Sequence, residues 1–273
     1  MSTQNKKIKR VWATIVIVLL VAVAFSIYSL IKNQQIQFGK RDDKIPLITD
    51  VETVKELGCT RTVRLDNDPQ YDRALSLLHQ KLEGWNPNND PSENYFPPAN
   101  LINCIKVIEG DVKGTIGAEG FFIVNSKDVK QNYFPVTVDK SYSYADDLLN
   151  ALILIHEITH VQQYIDTING KDELSCIDKE VQAFYSSWKL IGILHSEEWK
   201  SITLRLDNDK DLHPQLQIVN AIKQTTLDNF EKDRQMCFYG SGKNDPNCID
   251  NNRRAEIKEM LIQDDFYKKQ CKL

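Results

Sequence analysis

Leu148-Leu149-Asn150-Ala151-Leu152-Ile153-Leu154-Ile155-His156-Glu157-Ile158-Thr159-His160-Val161 is the stretch on which the reading of this chain turns. Apolar residues fall on nearly every side of a helix drawn through it and on to Ile165, which predicts a central, buried helix. Three ionisable side chains, His156, Glu157 and His160, sit in that helix, and burial obliges each to find a partner. A separation of four residues puts both imidazoles on one face, one turn apart. There they can share a tetrahedral Zn²⁺ at about 2.0 to 2.1 Å each. Glu157 is rotated by about 100° from His156 and does not ligate in this geometry; it reaches a water bound there.

A catalytic zinc takes three protein ligands and leaves its fourth position to water. Glu180 follows His160 after 19 intervening residues, within Asp178-Lys179-Glu180-Val181-Gln182-Ala183-Phe184. Asp166, Asp178 and Glu173 are the alternatives for the third ligand. In its H-E-x-x-H helix and downstream E-x-x-A, the stretch from about Thr115 to His195 resembles the gluzincin branch of the zincin metallopeptidases. The resemblance implies His156, His160 and Glu180 as ligands of one Zn²⁺ per chain, Glu157 as general base, and a peptide or protein as substrate. It also implies that Ala183 lets the two helices approach, and that a sheet edge built from Thr115–Asn125 and Tyr133–Asp139 lies above the metal. The metzincin pattern needs Gly at Gln163 and His at Asp166, and this chain has neither. The donor to a developing oxyanion stays open: Tyr164, one turn past His160, is the foremost candidate, beside Tyr185, His195 and His213. His79 reads as a surface or packed histidine. A non-catalytic ectodomain with a structural or vestigial zinc site, and a zinc hydrolase of a non-peptide amide such as cell-wall material, are the competing readings.

Outward from the central helix, the pattern predicts an α+β chain with a small antiparallel sheet and a mostly helical C-terminal half. A helix is expected from about Pro69 to Lys81, a loop from Trp85 to Pro98, and strands in Leu101–Ile108, Gly120–Val124 and Tyr133–Val138. The central helix is expected from about Tyr144 to Ile168, with Ser143 as N-cap and Gly170 beyond its end. The next is expected from about Lys171 to Leu194.

Lys6, Lys7, Lys9 and Arg10 precede Val11–Ile31, 21 residues without a formal charge, long enough to span a bilayer as a helix. Residues 1–10 are accordingly expected as a cytoplasmic tail, 11–31 as a transmembrane signal anchor, 32–48 as a linker and 49–273 as an extracytoplasmic domain. Cleavage near Ala24, giving a secreted protein, is the alternative. Cys59, Cys104, Cys176, Cys237, Cys248 and Cys271 all follow the apolar segment, and an even number points to three disulfides in an oxidising compartment. Six cysteines allow 15 connectivities. Proximity along the chain favours Cys237 with Cys248, and Cys59 with Cys104 and Cys176 with Cys271 would then follow. A net charge of -4 and the lack of a basic patch argue against a nucleic-acid partner.

Overall fold

A computed structural model gives the fold and describes residues 59, 61–83, 96–123, 133–208, 212–242, 245 and 247–273, all within the compact unit Asp50–Leu273. The expected span 11–31, the linker 32–48 and most of the 85–98 loop lie outside the described residues. Among the described residues no helix is long and apolar enough to cross a membrane.

The architecture is α+β, with helices dominating. In chain order the elements are α1 (Pro69–Glu83), a 3-10 turn (Ala99–Cys104), β1 (Ile105–Gly110), the short α2 (Val112–Thr115), β2 (Gly120–Phe122) and β3 (Phe134–Asp139). Then come α3 (Asp147–Ile168), α4 (Cys176–Gly192), α5 (Ser196–Asn208), α6 (Pro214–Arg234) running into a π turn (Gln235–Tyr239), α7 (Cys248–Gln263) and α8 (Asp265–Cys271).

The sheet is mixed rather than antiparallel. Its order is β1-β3-β2, with β1 parallel to β3 and β2 antiparallel to it. An antiparallel sheet would follow if strands adjacent in sequence paired with each other. Instead α2 and Gly117, whose φ of +76° turns the chain as glycine readily allows, separate β1 from β2. β2 is thereby delivered to the far side of β3, where it forms an edge. The segment expected as one strand from Leu101 divides at Ile105, because residues 99–104 coil into the 3-10 turn.

α3 is the central helix that its apolar residues require. Ile153, Leu154, Ile155 and Ile158 are fully buried, and the helix packs against α1, α4, β2 and β3. It starts later than Tyr144: the cap is Asp146, whose side chain accepts from the Leu149 N–H at 2.8 Å. Ser143 closes the preceding turn instead, its hydroxyl donating to the Lys140 carbonyl at 2.8 Å. α3 ends where Gly170 adopts a φ of +84°, as helix termini commonly do. α4 begins only at Cys176, because Ser175 supplies its cap by accepting from the Asp178 N–H. Three disulfides join Cys59 to Cys104, Cys176 to Cys271 and Cys237 to Cys248, leaving no free cysteine.

Candidate metal centre

Two helices build the centre. α3 presents His156 and His160 from one face, and α4, packed along it, presents Glu180. Ala183 is fully buried on α4, and the small side chain suits a close helix pair. The Nε2 atoms of the two histidines lie 3.2 Å apart, and Glu180 Oε2 is 3.4 Å from His156 Nε2 and 3.7 Å from His160 Nε2. Tetrahedral sites with bonds of about 2.0 to 2.1 Å have ligand–ligand edges near 3.4 Å, and the circle through these three atoms has a radius of about 2.0 Å. Two imidazole nitrogens and a carboxylate oxygen therefore form a donor set with the size and chemistry to hold a metal ion. His156 and Glu180 are buried, whereas the His160 side chain is 19% exposed, so solvent meets the centre from the His160 side.

The surroundings hold these donors in place. His160 Nδ1 faces Gln163 Oε1 at 2.9 Å, and the Gln163 amide donates to the Lys179 carbonyl and to Gln182 Oε1. With both donors of that amide engaged, its oxygen faces Nδ1 and selects the tautomer that leaves Nε2 directed at the centre. Glu180 Oε1 accepts from Gln270 Nε2 at 2.9 Å, which leaves Oε2 to the centre. The His156 ring packs on Phe184 at 4.4 Å, and Phe184 in turn meets Tyr267 at 5.4 Å. His156 Nδ1 is buried and has no partner among the described residues.

The three donors are coupled electrostatically. Burial opposes ionisation of Glu180, but the two imidazoles outweigh it and hold the carboxyl well below the usual carboxylate range. Burial likewise opposes a charge on His160, but the Glu180 carboxylate overcomes it and pushes the imidazolium up to about 9. His156 is pushed down by burial.

Glu157 lies outside the donor set. Its carboxyl is buried, and burial first, with the Glu180 charge adding, pushes it up to about 8 in the metal-free chain. β2 runs directly against it: a Cβ on Gly120 would sit 3.2 Å from Glu157 Cγ and 3.1 Å from Ile153 Cγ2. Gln215 Nε2, from the first turn of α6, donates to Glu157 Oε1 at 3.3 Å.

The other acids considered for the third ligand position are committed elsewhere. Asp166 accepts from Gln162 and pairs with Lys171 at 3.0 Å, Asp178 pairs with Lys258, and Glu173 pairs with Lys179. Tyr164 is half-buried and packs edge-on against Phe122 of β2. Tyr185 lies on a different face of α4, against Trp188 and Arg254. His195 is exposed before α5, His213 is the N-cap residue of α6, and His79 lies 3.3 Å from Glu83 Oε2 on α1.

Three residues here were not anticipated: Gln215, Gln270 and Tyr267. Each comes from a C-terminal helix far along the chain, and none belongs to a local pattern. Tyr267 is 3% exposed, and burial, together with the charges of Glu180, Glu119 and Glu157, holds its hydroxyl well above the ordinary tyrosine range. No family model, curated protein or solved structure matches the chain.

Proposed function

We propose that this chain is a zinc-dependent hydrolase of peptide bonds, with Zn²⁺ held by His156, His160 and Glu180 and with Glu157 as general base. The observation that carries the reading is the buried carboxylate of Glu157, adjoining a three-donor set of tetrahedral dimensions and belonging, among the described residues, to neither the set nor an ion pair. A purely structural metal site has no use for such a group. Zinc, when bound, supplies a Lewis acid that polarises a carbonyl and acidifies water.

The chain's own residues do the remaining work. Gln215 engages one oxygen of Glu157, leaving the other to take a proton and later return it to a leaving amine. A carboxyl raised by burial suits proton exchange near neutral pH. β2, the edge strand against Glu157, offers backbone groups to which an extended peptide can add as a further strand. The resemblance to gluzincins fits this arrangement of two helices and a bordering strand. The three disulfides support an oxidising compartment, in keeping with a domain held outside the cytoplasm by the apolar segment 11–31.

The test uses the purified full chain, zinc-loaded, against a peptide library and peptidoglycan fragments. Wild type is expected to cleave peptides, and Glu157→Gln to keep zinc and fold while losing more than about 100-fold in turnover. Equal turnover in both forms would remove Glu157 from the chemistry. Cleavage of the cell-wall fragments alone would change the substrate class.

A further inference from the structure

The first turn of α6 enters the centre under an unusual constraint. Pro214 opens the helix, and His213, the N-cap residue, makes no side-chain cap. A residue far back in the chain does so instead: the carboxylate of Glu119, just before β2 and 96 positions from Gln215, accepts from the Gln215 N–H and the Leu216 N–H, both at 3.0 Å. A carboxylate at a helix N-terminus meets unpaired N–H groups and the positive end of the helix dipole. Glu119 is fully buried, so this clamp joins β2 and α6, both of which border Glu157.

What the clamp holds in place is Gln215, 2% exposed. Its Nε2 donates to Glu157 Oε1, and its Oε1 is buried without a partner among the described residues. Buried amide oxygens are nearly always satisfied, and leaving one unpaired is costly. With the nitrogen of the same amide turned toward Glu157, the oxygen is an acceptor beside the general base for which the chain supplies no donor.

We propose that Gln215 is a positioning residue for Glu157 through Nε2, and that its Oε1 receives an N–H of the substrate, so that the centre selects secondary amides. This rests on the metal-hydrolase reading above. The two halves of the amide act together: the donor orients the carboxylate, and the same orientation holds the buried acceptor beside it. A site with a buried acceptor rejects a ligand lacking the matching N–H more strongly than an apolar pocket would, because the acceptor is then left unpaired.

The test compares two small metal-binding probes, acetohydroxamate and N-methylacetohydroxamate, which differ in the N–H. Binding to the zinc-loaded full chain is measured calorimetrically in wild type and in Gln215→Met, a side chain of similar size without the acceptor. Wild type is expected to bind the N–H probe at least about tenfold more tightly, and the variant to bind both alike, with zinc content unchanged. Should the methionine variant not fold, Gln215→Ala serves in the same comparison. The same probe ratio in variant and wild type, as a purely steric effect of the methyl group would give, overturns the acceptor role. Peptide hydrolysis tests the positioning role: kcat is expected to fall about 10- to 100-fold with zinc retained, and an unchanged kcat overturns it. Wild-type protein that binds no zinc overturns the metal-hydrolase reading itself and is read directly from metal content.

Discussion

Gln270 Nε2 donates to Glu180 Oε1 at 2.9 Å, so the last helix of the chain grips the carboxylate whose other oxygen faces the two histidines. The Cys176–Cys271 disulfide ties that helix, α8, to the start of α4, the helix that carries Glu180. One covalent bond thereby secures both the helix that carries Glu180 and the residue that orients its carboxylate.

Loosening this grip is expected to weaken metal binding. Gln270→Ala, and separately the pair Cys176→Ser with Cys271→Ser, should each lower zinc affinity about 10- to 100-fold, the usual effect of losing a group that orients a ligand. Competition against a fluorescent chelator measures this, with circular dichroism reporting the fold. Unchanged affinity in Gln270→Ala would show that Glu180 needs no such support.

Metal and proton should compete at His160. Its metal-free imidazolium titrates at about 9 because the Glu180 carboxylate overcomes the effect of burial. An ion that binds at pH 7 must displace that proton, so affinity should rise with pH up to about 9 and then level. The same shift has a stability consequence. A histidine raised on folding contributes stability that is fully present below about 6.5 and is lost as pH passes 9, so the metal-free chain should melt at lower temperature at pH 10 than at pH 7. Zinc titrations in buffers of different ionisation heat give the proton count. Zero protons released at pH 7 would contradict the assignment.

Acid should act at the end of β3 as well. Burial opposes the charge on Asp139, but backbone donors at Lys113 and Ser141 outweigh it and hold the carboxyl below its ordinary value. A depressed carboxyl contributes stability present above its unfolded value of about 4 and lost as pH falls further. Asp139→Asn is expected to cost about 1 to 2 kcal/mol at pH 7. Urea melts across the pH range should show that difference shrinking below pH 4, and a difference independent of pH would refute the account.

Gly120 tests how closely β2 rides on α3. A methyl group there meets Ile153 Cγ2, Glu157 Cγ and the Thr137 carbonyl at 3.1 to 3.2 Å, and the carbonyl belongs to the paired strand. Gly120→Ala should destabilise by about 1 to 3 kcal/mol through overpacking, read from thermal melts. A neutral or stabilising effect would mean that the strand has room to move away from Glu157.

What the sequence disclosed, and what it concealed, divides by range. His156 and His160 were legible because helical spacing, a local relation, puts them on one face, whereas Glu180 was reached through the resemblance to the gluzincins, with Asp166, Asp178 and Glu173 left open by the residues themselves. The helix around the two histidines was legible because its apolar residues cover nearly every side. Helix starts were misplaced where two capping side chains compete: Ser143 and Asp146 both stand before the helix, and only geometry gives the cap to Asp146. The parallel pairing of β1 with β3 was hidden because it depends on where a three-residue strand, β2, is delivered. Gln215 and Gln270 were invisible for the same reason at greater distance. They lie 58 residues beyond Glu157 and 90 beyond Glu180, and nothing in the residue type of a glutamine announces such a partner.

Metal analysis of the purified full chain tests the central claim most directly. Wild type, prepared without chelator, is expected to carry one zinc per chain. His160→Ala and Glu180→Ala are expected to lose it, and Asp166→Ala, whose carboxylate is engaged by Gln162 and Lys171, to retain it. Wild type without stoichiometric zinc, or zinc lost from Asp166→Ala but kept by Glu180→Ala, would contradict the account.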